Sequence, residues 1–223
     1  MIYISGIFSL IVQIIVGFID YWAINIKTSE KDQLLKDLLK VELFVQTIEF
    51  IFYVWLIYYF SKVSGNITPF RYLDWFITTP LMLITLSAFL SYDGTKETRL
   101  TEFLSSNTAS IVKIVILNAT MLAFGLIGEL GYLSAFTSTA LGFIPLIINF
   151  KDIKEKFLKS SEDKTKNLVF YWFVFFWSLY GVFALMSYTV KNTGYNILDI
   201  FAKNFFGIFL AYTVWSRSKV EYI

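Results

Sequence analysis

The 223-residue chain contains no cysteine and no histidine, and these two absences remove whole classes of chemistry. Disulfide frameworks and thiolate metal sites need cysteine, while imidazole ligands, His-based triads and imidazole pH switches need histidine. Most hydrolase and metalloenzyme readings fall with them, so no enzymatic reaction and no metal site are expected. Charge is scarce too: 16% of the residues are Asp, Glu, Lys or Arg, where soluble domains carry about 25%. Nineteen basic against 17 acidic residues leave a net charge of +2, which gives no general attraction to nucleic acid. Apolar residues fill the space: 57% are hydrophobic, 20% aromatic, and the mean hydropathy is +0.62. That excess is too large for a soluble domain.

A bilayer core needs about 20 apolar residues per helix. Runs of that kind lie near 4 to 24, 41 to 60, 70 to 90, 110 to 130, 133 to 150, 168 to 188 and 194 to 215. Seven such spans with short connections leave no room for a second domain, so the fold class is an all-α membrane bundle of seven helices over residues 1–223, in a plasma or host-cell membrane. The first run is expected to be a span and not a signal sequence: nothing basic precedes it, no small-residue cleavage site follows, and Asp20 interrupts its end. Between the first two spans, Leu34, Leu35, Leu38 and Leu39 form a helical stripe and Ser29 with Asp32 suits an N-cap, which predicts an early start for the second helix.

Lysine and arginine in the loops set the orientation. Fourteen lie on one side: Lys27, Lys31, Lys36, Lys40, Lys96, Arg99, Lys151, Lys154, Lys156, Lys159, Lys164, Lys166, Arg217 and Lys219. The other side has Lys62 and Lys191, with Arg71 just inside the third span. The N-terminus is therefore expected outside and the C-terminus in the cytoplasm. Pro69 falls in the first turn of the third span, where its missing N–H costs nothing, whereas Pro80 and Pro145 fall inside spans. Asn66-Ile67-Thr68 forms a glycosylation triplet in an outer loop, close to the membrane.

Six ionisable residues fall within the spans: Glu42, Glu49, Arg71, Asp74, Asp199 and Lys203. Each costs a few kcal/mol at a helix centre and marks a functional site by default. Asp199 and Lys203 are one turn apart on one face of the seventh helix. Lys203 lies about 14 Å into its span, near the bilayer midplane, where a lone ammonium needs a carboxylate to remain charged. Such a lysine is also a natural Schiff-base nucleophile. Arg71, Asp74 and Thr78 share a stripe of the third helix. If those two helices adjoin, two carboxylates and one arginine surround one lysine.

The string Arg71-Tyr72-Leu73-Asp74-Trp75-Phe76-Ile77-Thr78-Thr79-Pro80-Leu81, together with Asp199-Ile200-Phe201-Ala202-Lys203-Asn204-Phe205-Phe206-Gly207, resembles the microbial (type 1) rhodopsins. Met121 to Gly131 is similar to their proteorhodopsin-like branch, and Trp177-Ser178-Leu179-Tyr180 supplies a further match in the sixth span. The resemblance covers essentially the whole chain. It implies all-trans retinal bound covalently as a Schiff base on Lys203, Asp74 and Asp199 as counterions with Arg71 below them, and Tyr53 bonded to Asp199. It also implies Trp75 and Trp177 sandwiching the polyene, with Tyr180 and Thr78 beside it. Met82 stands where green-absorbing members carry Leu or Met, which implies a green maximum.

One position departs from the family's proton pumps. They carry a carboxylate eleven residues after the third-helix counterion, and this chain has Thr85 there. The triplet Asp74, Thr78, Thr85 also differs from the patterns of sodium and chloride pumps. Charge appears instead on the second helix, where Glu42, Gln46 and Glu49 share one face and Glu49 lies about 16 Å from the cytoplasmic end if the span starts near Leu38. With Ser9 and Gln13 on the first helix and Asn196 on the seventh, these groups outline an ion pathway, and rows of Glu favour cations. This pattern resembles the group 1 viral rhodopsins of giant algal viruses, which implies a light-gated channel for monovalent cations. Two alternatives stand beside it: an outward proton pump with Glu42, close to Thr85 if the second and third helices adjoin, as substitute donor; and a sensory rhodopsin whose basic cytoplasmic surface docks a transducer. Membrane lipids and either cations or protons are the expected partners, with homo-oligomers open.

Overall fold

The computed structural model describes residues 1–59, 66–158 and 163–220; Lys62 and Lys159, counted in the charge balance above, lie outside them. Among the described residues all regular structure is helical. The long helices are α1 (Ile2–Ile24), α2 (Gln33–Tyr59, after a 3₁₀ turn at Glu30–Asp32) and α3 (Thr68–Ser91). A short α4 (Leu100–Ser106) leads into α5 (Thr108–Glu129), α6 (Ala135–Phe157) and α7 (Lys164–Ala184). The last span is one rod made of α8 (Tyr188–Asp199), a π-helical turn (Ile200–Asn204) and α9 (Phe205–Val220).

The helices sort their residues in the reverse of a soluble protein. On α1 the inward stripe is Gly6, Ser9, Gln13, Val16 and Asp20, while Ile4, Phe8, Ile11, Ile15 and Phe18 face outward. An apolar exterior on a helix whose inward stripe carries polar groups is stable only where the surroundings are hydrocarbon, and helices meet the requirement that every backbone group be paired internally there. Six of the seven spans are long and apolar enough to cross a membrane. The seventh, α6, is less apolar because it opens on Thr137-Ser138-Thr139 and ends among Lys151, Asp152, Lys154, Glu155 and Lys156. Its inward Ser138 and Asn149 are buried, so its polarity faces the bundle.

α2 begins at Gln33, ahead of the apolar run, as the leucine stripe predicts: Leu34, Leu35, Leu38 and Leu39 are buried in the main apolar core. Ser29 does not cap it with its side chain; the hydroxyl turns to Asp32 Oδ2 at 3.4 Å. Other boundaries differ from the sequence expectation. α6 continues to Phe157, with Lys154 and Lys156 in its last turn, where basic side chains complement the helix dipole. The last rod starts at Tyr188 rather than 194. Pro69 sits in the first turn of α3, and Pro80 and Pro145 lie within α3 and α6.

Helix α1 packs on α2 and on both halves of the last rod, α2 packs on α3 and α9, and α3 also meets α5, α6 and α7. This order brings α2, α3 and the π turn of the last rod around one interior point.

Candidate functional site

Lys203 occupies that point. Its Nζ donates to Asp74 Oδ2 at 2.8 Å and lies 3.5 Å from Glu49 Oε1 and 3.7 Å from Asp199 Oδ1. All four side chains are at most 3% exposed. The sequence reading expected two carboxylates here and assigned Glu49 to an ion pathway; the fold places Glu49 against the lysine as a third. The reason is the meeting of α2 with the π turn, which helical periodicity along either segment does not reveal. That turn spans Ile200 to Asn204 and carries Lys203; π turns within helices recur at functional sites.

Asp199 is held on every side. Tyr53 donates to its Oδ2 at 2.7 Å, Tyr180 to its Oδ1 at 2.6 Å, and Arg71 Nη1 stands 3.7 Å away. Arg71 is fully buried and is itself fixed by Asn192 and Asn196, through Nε to Asn192 Oδ1 at 3.0 Å and Nη2 to Asn196 Oδ1 at 2.5 Å. Asn196 donates to Ile2 O and Ser5 Oγ, and its own carbonyl accepts from Ser9 Oγ at 2.6 Å. Ser9 and Asn196 are thus bound into the arginine's surroundings. Asn192 is a participant that the sequence reading missed; its only signal was its place one turn before Asn196 on the rod.

From Lys203 an apolar cavity runs between α3, α5, α6, α7 and the last rod. Trp75, Met82, Trp177 and Tyr180 line it as expected, joined by Tyr72, Tyr195, Met121, Leu122 and Phe143, to which no place in the pocket was given. Thr78 does not line it: its hydroxyl donates to the Asp74 carbonyl at 3.0 Å, and Thr79 takes the cavity position. Trp75 meets Tyr195 and Tyr180 edge-on at 5.2 and 5.5 Å between ring centroids. Gly125 and Gly181 lie where a Cβ would come within 2.4 Å of Tyr72 Oη and of the Phe143 ring, respectively, so glycine lets those side chains seat.

A second polar cluster lies on the α1–α2–α9 side. Thr85 Oγ1 donates to Glu42 Oε1 at 2.6 Å, so α2 and α3 do adjoin at the substituted position. Gln46 Nε2 donates to Asp20 Oδ2 at 2.7 Å, and Glu42 and Asp20 are both 0% exposed. Asp20, read from sequence as a span terminus, is an interior carboxylate. Gln13 is buried with neither side-chain atom hydrogen-bonded among the described residues.

Two further clusters join loops at the surface. Glu129 accepts from Lys191 Nζ at 2.6 and 2.8 Å and from Asn66 at 3.0 Å, which engages the asparagine of the glycosylation triplet. At the opposite end Asp32 accepts from Tyr92 and from Arg217 Nε at 2.9 Å. Burial and the Asp32 carboxylate push the Tyr92 hydroxyl above the usual tyrosine range.

Residues 5–217 match the family model described as bacteriorhodopsin-like protein. A green-light absorbing proteorhodopsin from Gamma-proteobacterium EBAC31A08 is 23% identical over an alignment of 192 residues that covers 78% of this chain and 72% of the relative. The crystal structure of viral rhodopsin OLPVRII superposes with a TM-score of 0.85 at 27% identity, covering 96% of this chain and 98% of that one. That of a blue light-absorbing proteorhodopsin from Med12 gives 0.77 at 20% identity, with 98% of each chain covered.

Proposed function

The chain belongs to the bacteriorhodopsin-like protein family, and on that premise we propose that it is a retinal-binding, light-driven proton transporter in which Lys203 holds retinal and Glu42 returns protons from the cytoplasmic side. It is a multi-pass integral membrane protein with the seven-helix rhodopsin fold.

The residues present suit retinal. The ligand is a long apolar polyene with one carbonyl end, and the cavity is an apolar, aromatic slot whose polar end is the Lys203 amine. Trp75 and Trp177 supply flat faces for the polyene, and Met82 in the wall supports a green maximum. Retinal, when bound as a protonated Schiff base, supplies the light absorption and the double-bond isomerisation. The protein supplies the charges. Asp74, at 2.8 Å, is the nearest acceptor for a proton leaving Lys203 Nζ. Asp199 is anchored by two tyrosines and Arg71 and acts as a fixed negative charge. Three carboxylates against Lys203 and Arg71 sum formally to −1, and an uncompensated buried charge costs several kcal/mol. One proton shared among the carboxylates neutralises the cluster and gives it a proton to pass outward.

The observation that carries the transport reading is the 2.6 Å bond between Thr85 and Glu42. It puts a buried carboxyl beside the position where the family's proton pumps keep their donor. The cation-channel reading draws on the row Glu42, Gln46, Glu49 with Ser9, Gln13 and Asn196. It is weaker because Glu49 faces Lys203, Ser9 and Asn196 are occupied by hydrogen bonds, and the buried Arg71 guanidinium stands in the outer half of that row. A fixed cation there repels the ions that a channel would pass.

Light-evoked current under voltage clamp tests the proposal. A current that keeps its sign across voltages, with acidification outside, is expected. A current that reverses at a potential set by the cation gradient overturns the reading in favour of a channel, and the absence of current in favour of a sensor.

A further inference from the structure

Glu42 is too far from Lys203 to serve it directly. Glu49, which touches the lysine, lies seven residues further along α2, or about 10 Å of helix rise. Proton transfer between side chains needs hydrogen-bond contact, about 2.6–3.2 Å, or one intervening water. Something must stand between them.

Gln46 marks the midpoint, about 6 Å from Glu42 along the helix, and Asp20 is hydrogen-bonded to it at 2.7 Å. Asp20 also flanks the last rod one turn beyond Lys203: a Cβ at Gly207 would lie 2.6 Å from Asp20 Oδ2 and 2.9 Å from Gln46 Nε2. Glycine at 207 is therefore what allows the Asp20–Gln46 pair to sit against the rod. The second observation concerns unused atoms. Asp20 Oδ1, Gln46 Oε1 and Glu42 Oε2 are all buried without a hydrogen-bond partner among the described residues. Buried polar groups nearly always have a partner, and sites of this kind hold water or a proton.

We infer that Asp20 is a proton carrier between Glu42 and Lys203, with Gln46 orienting its carboxyl. The inference rests on the proposed transport function. The Asp20 carboxyl releases its proton toward Lys203 Nζ through water across the one helical turn, about 6 Å, between them, and becomes a carboxylate. The Glu42 carboxyl proton then moves to Asp20 through water at the unpaired oxygens, and the cytoplasm reprotonates Glu42. No other bond is made or broken.

Flash photolysis and transient infrared spectroscopy of the retinal-loaded protein test this. Asp20→Asn keeps the shape and the Gln46 bond but cannot carry a proton. It is expected to leave the dark absorption maximum unchanged, to slow recovery of the visible band about 100-fold, and to remove one carboxyl C=O band that changes before that of Glu42. Asp20→Glu is expected to restore much of the rate. Gly207→Ala, which crowds the carboxyl off Gln46, is expected to slow the same phase. Wild-type recovery in Asp20→Asn, with slow recovery in Glu42→Gln, overturns the role of Asp20 and leaves the donor reading standing. Wild-type recovery in Glu42→Gln overturns the donor reading; if Asp20→Asn alone is then slow, the order Glu42 before Asp20 is overturned as well. Should Asp20→Asn fail to bind retinal, unchanged recovery in Gly207→Ala overturns the inference.

Discussion

The carboxylate of Glu49 stands 3.5 Å from the Lys203 amine, closer than that of Asp199 one turn away on the lysine's own rod. The sequence alone leads one to expect that Glu49→Gln changes ion flow and leaves colour intact. The place of Glu49 beside the lysine amine points instead to an effect on colour. Negative charge near the nitrogen stabilises a ground state whose positive charge sits there, so removing it narrows the excitation gap. Glu49→Gln is expected to shift the visible absorption maximum to longer wavelength, and an unchanged spectrum would remove Glu49 from the counterion cluster.

Lys203 is the amine at the end of the cavity. Lys203→Ala is expected to yield a folded protein without a visible band when retinal is supplied. A surviving band would sink the chromophore assignment.

The cavity wall makes a sharper test through its glycines. At Gly181 a Cβ would lie 2.4 and 2.6 Å from Phe143 ring atoms, whereas at Gly142 its nearest neighbour would be Met121 O at an ordinary 3.5 Å. Gly181→Ala is therefore expected to displace the ring and slow retinal uptake severalfold, with Gly142→Ala close to wild type. Equal uptake rates would show that the Phe143 ring does not limit the cavity.

On the surface opposite to Asp32, the ion pair of Lys191 with Glu129 is 13% and 8% exposed. Breaking a well-buried pair costs about 3–5 kcal/mol; this pair meets some solvent, so Lys191→Met is expected to cost about 2 kcal/mol. Thermal unfolding in detergent should show a lower Tm, partly recovered by adding Glu129→Gln, which removes the stranded charge. No loss of Tm would mean that solvent already satisfies both groups.

Tyr92 provides a pH-dependent signature. Burial and the Asp32 carboxylate raise its hydroxyl in the folded protein, so the folded state keeps a proton that the unfolded chain releases near pH 10. The stability this confers is complete below about pH 10 and is lost as pH rises toward the folded value. Wild type is expected to lose stability relative to Tyr92→Phe above about pH 10 and not below it, as read from Tm across pH. Parallel curves would show that Tyr92 is not so held.

Much of this protein is legible along the chain because the controlling signals are local. The apolar runs place it in a bilayer, a lysine four residues after an aspartate must share a face with it, and the strings around Asp74 and Lys203 point to the family. The family resemblance put Thr78 beside the polyene, and the first apolar run put Asp20 near a helix end, where it lies, four residues before α1 stops at Ile24. Neither told that Thr79 lines the cavity or that Asp20 is buried against Gln46, because a string or a stripe does not say which neighbour it meets.

The sequence by itself determined the membrane class, the seven helices and the pairing of Asp199 with Lys203, since helix geometry and the cost of charge in lipid act over one or two turns. Only the tertiary structure decided that Glu49 completes the lysine's cluster, that Glu42 is hydrogen-bonded to Thr85, and that Asp20 reaches Gln46 beside Gly207. Each of those contacts joins different helices, 26 residues apart for Asp20 and Gln46 and 43 for Thr85 and Glu42. Their geometry comes from how the helices pack against one another, a property of the whole bundle.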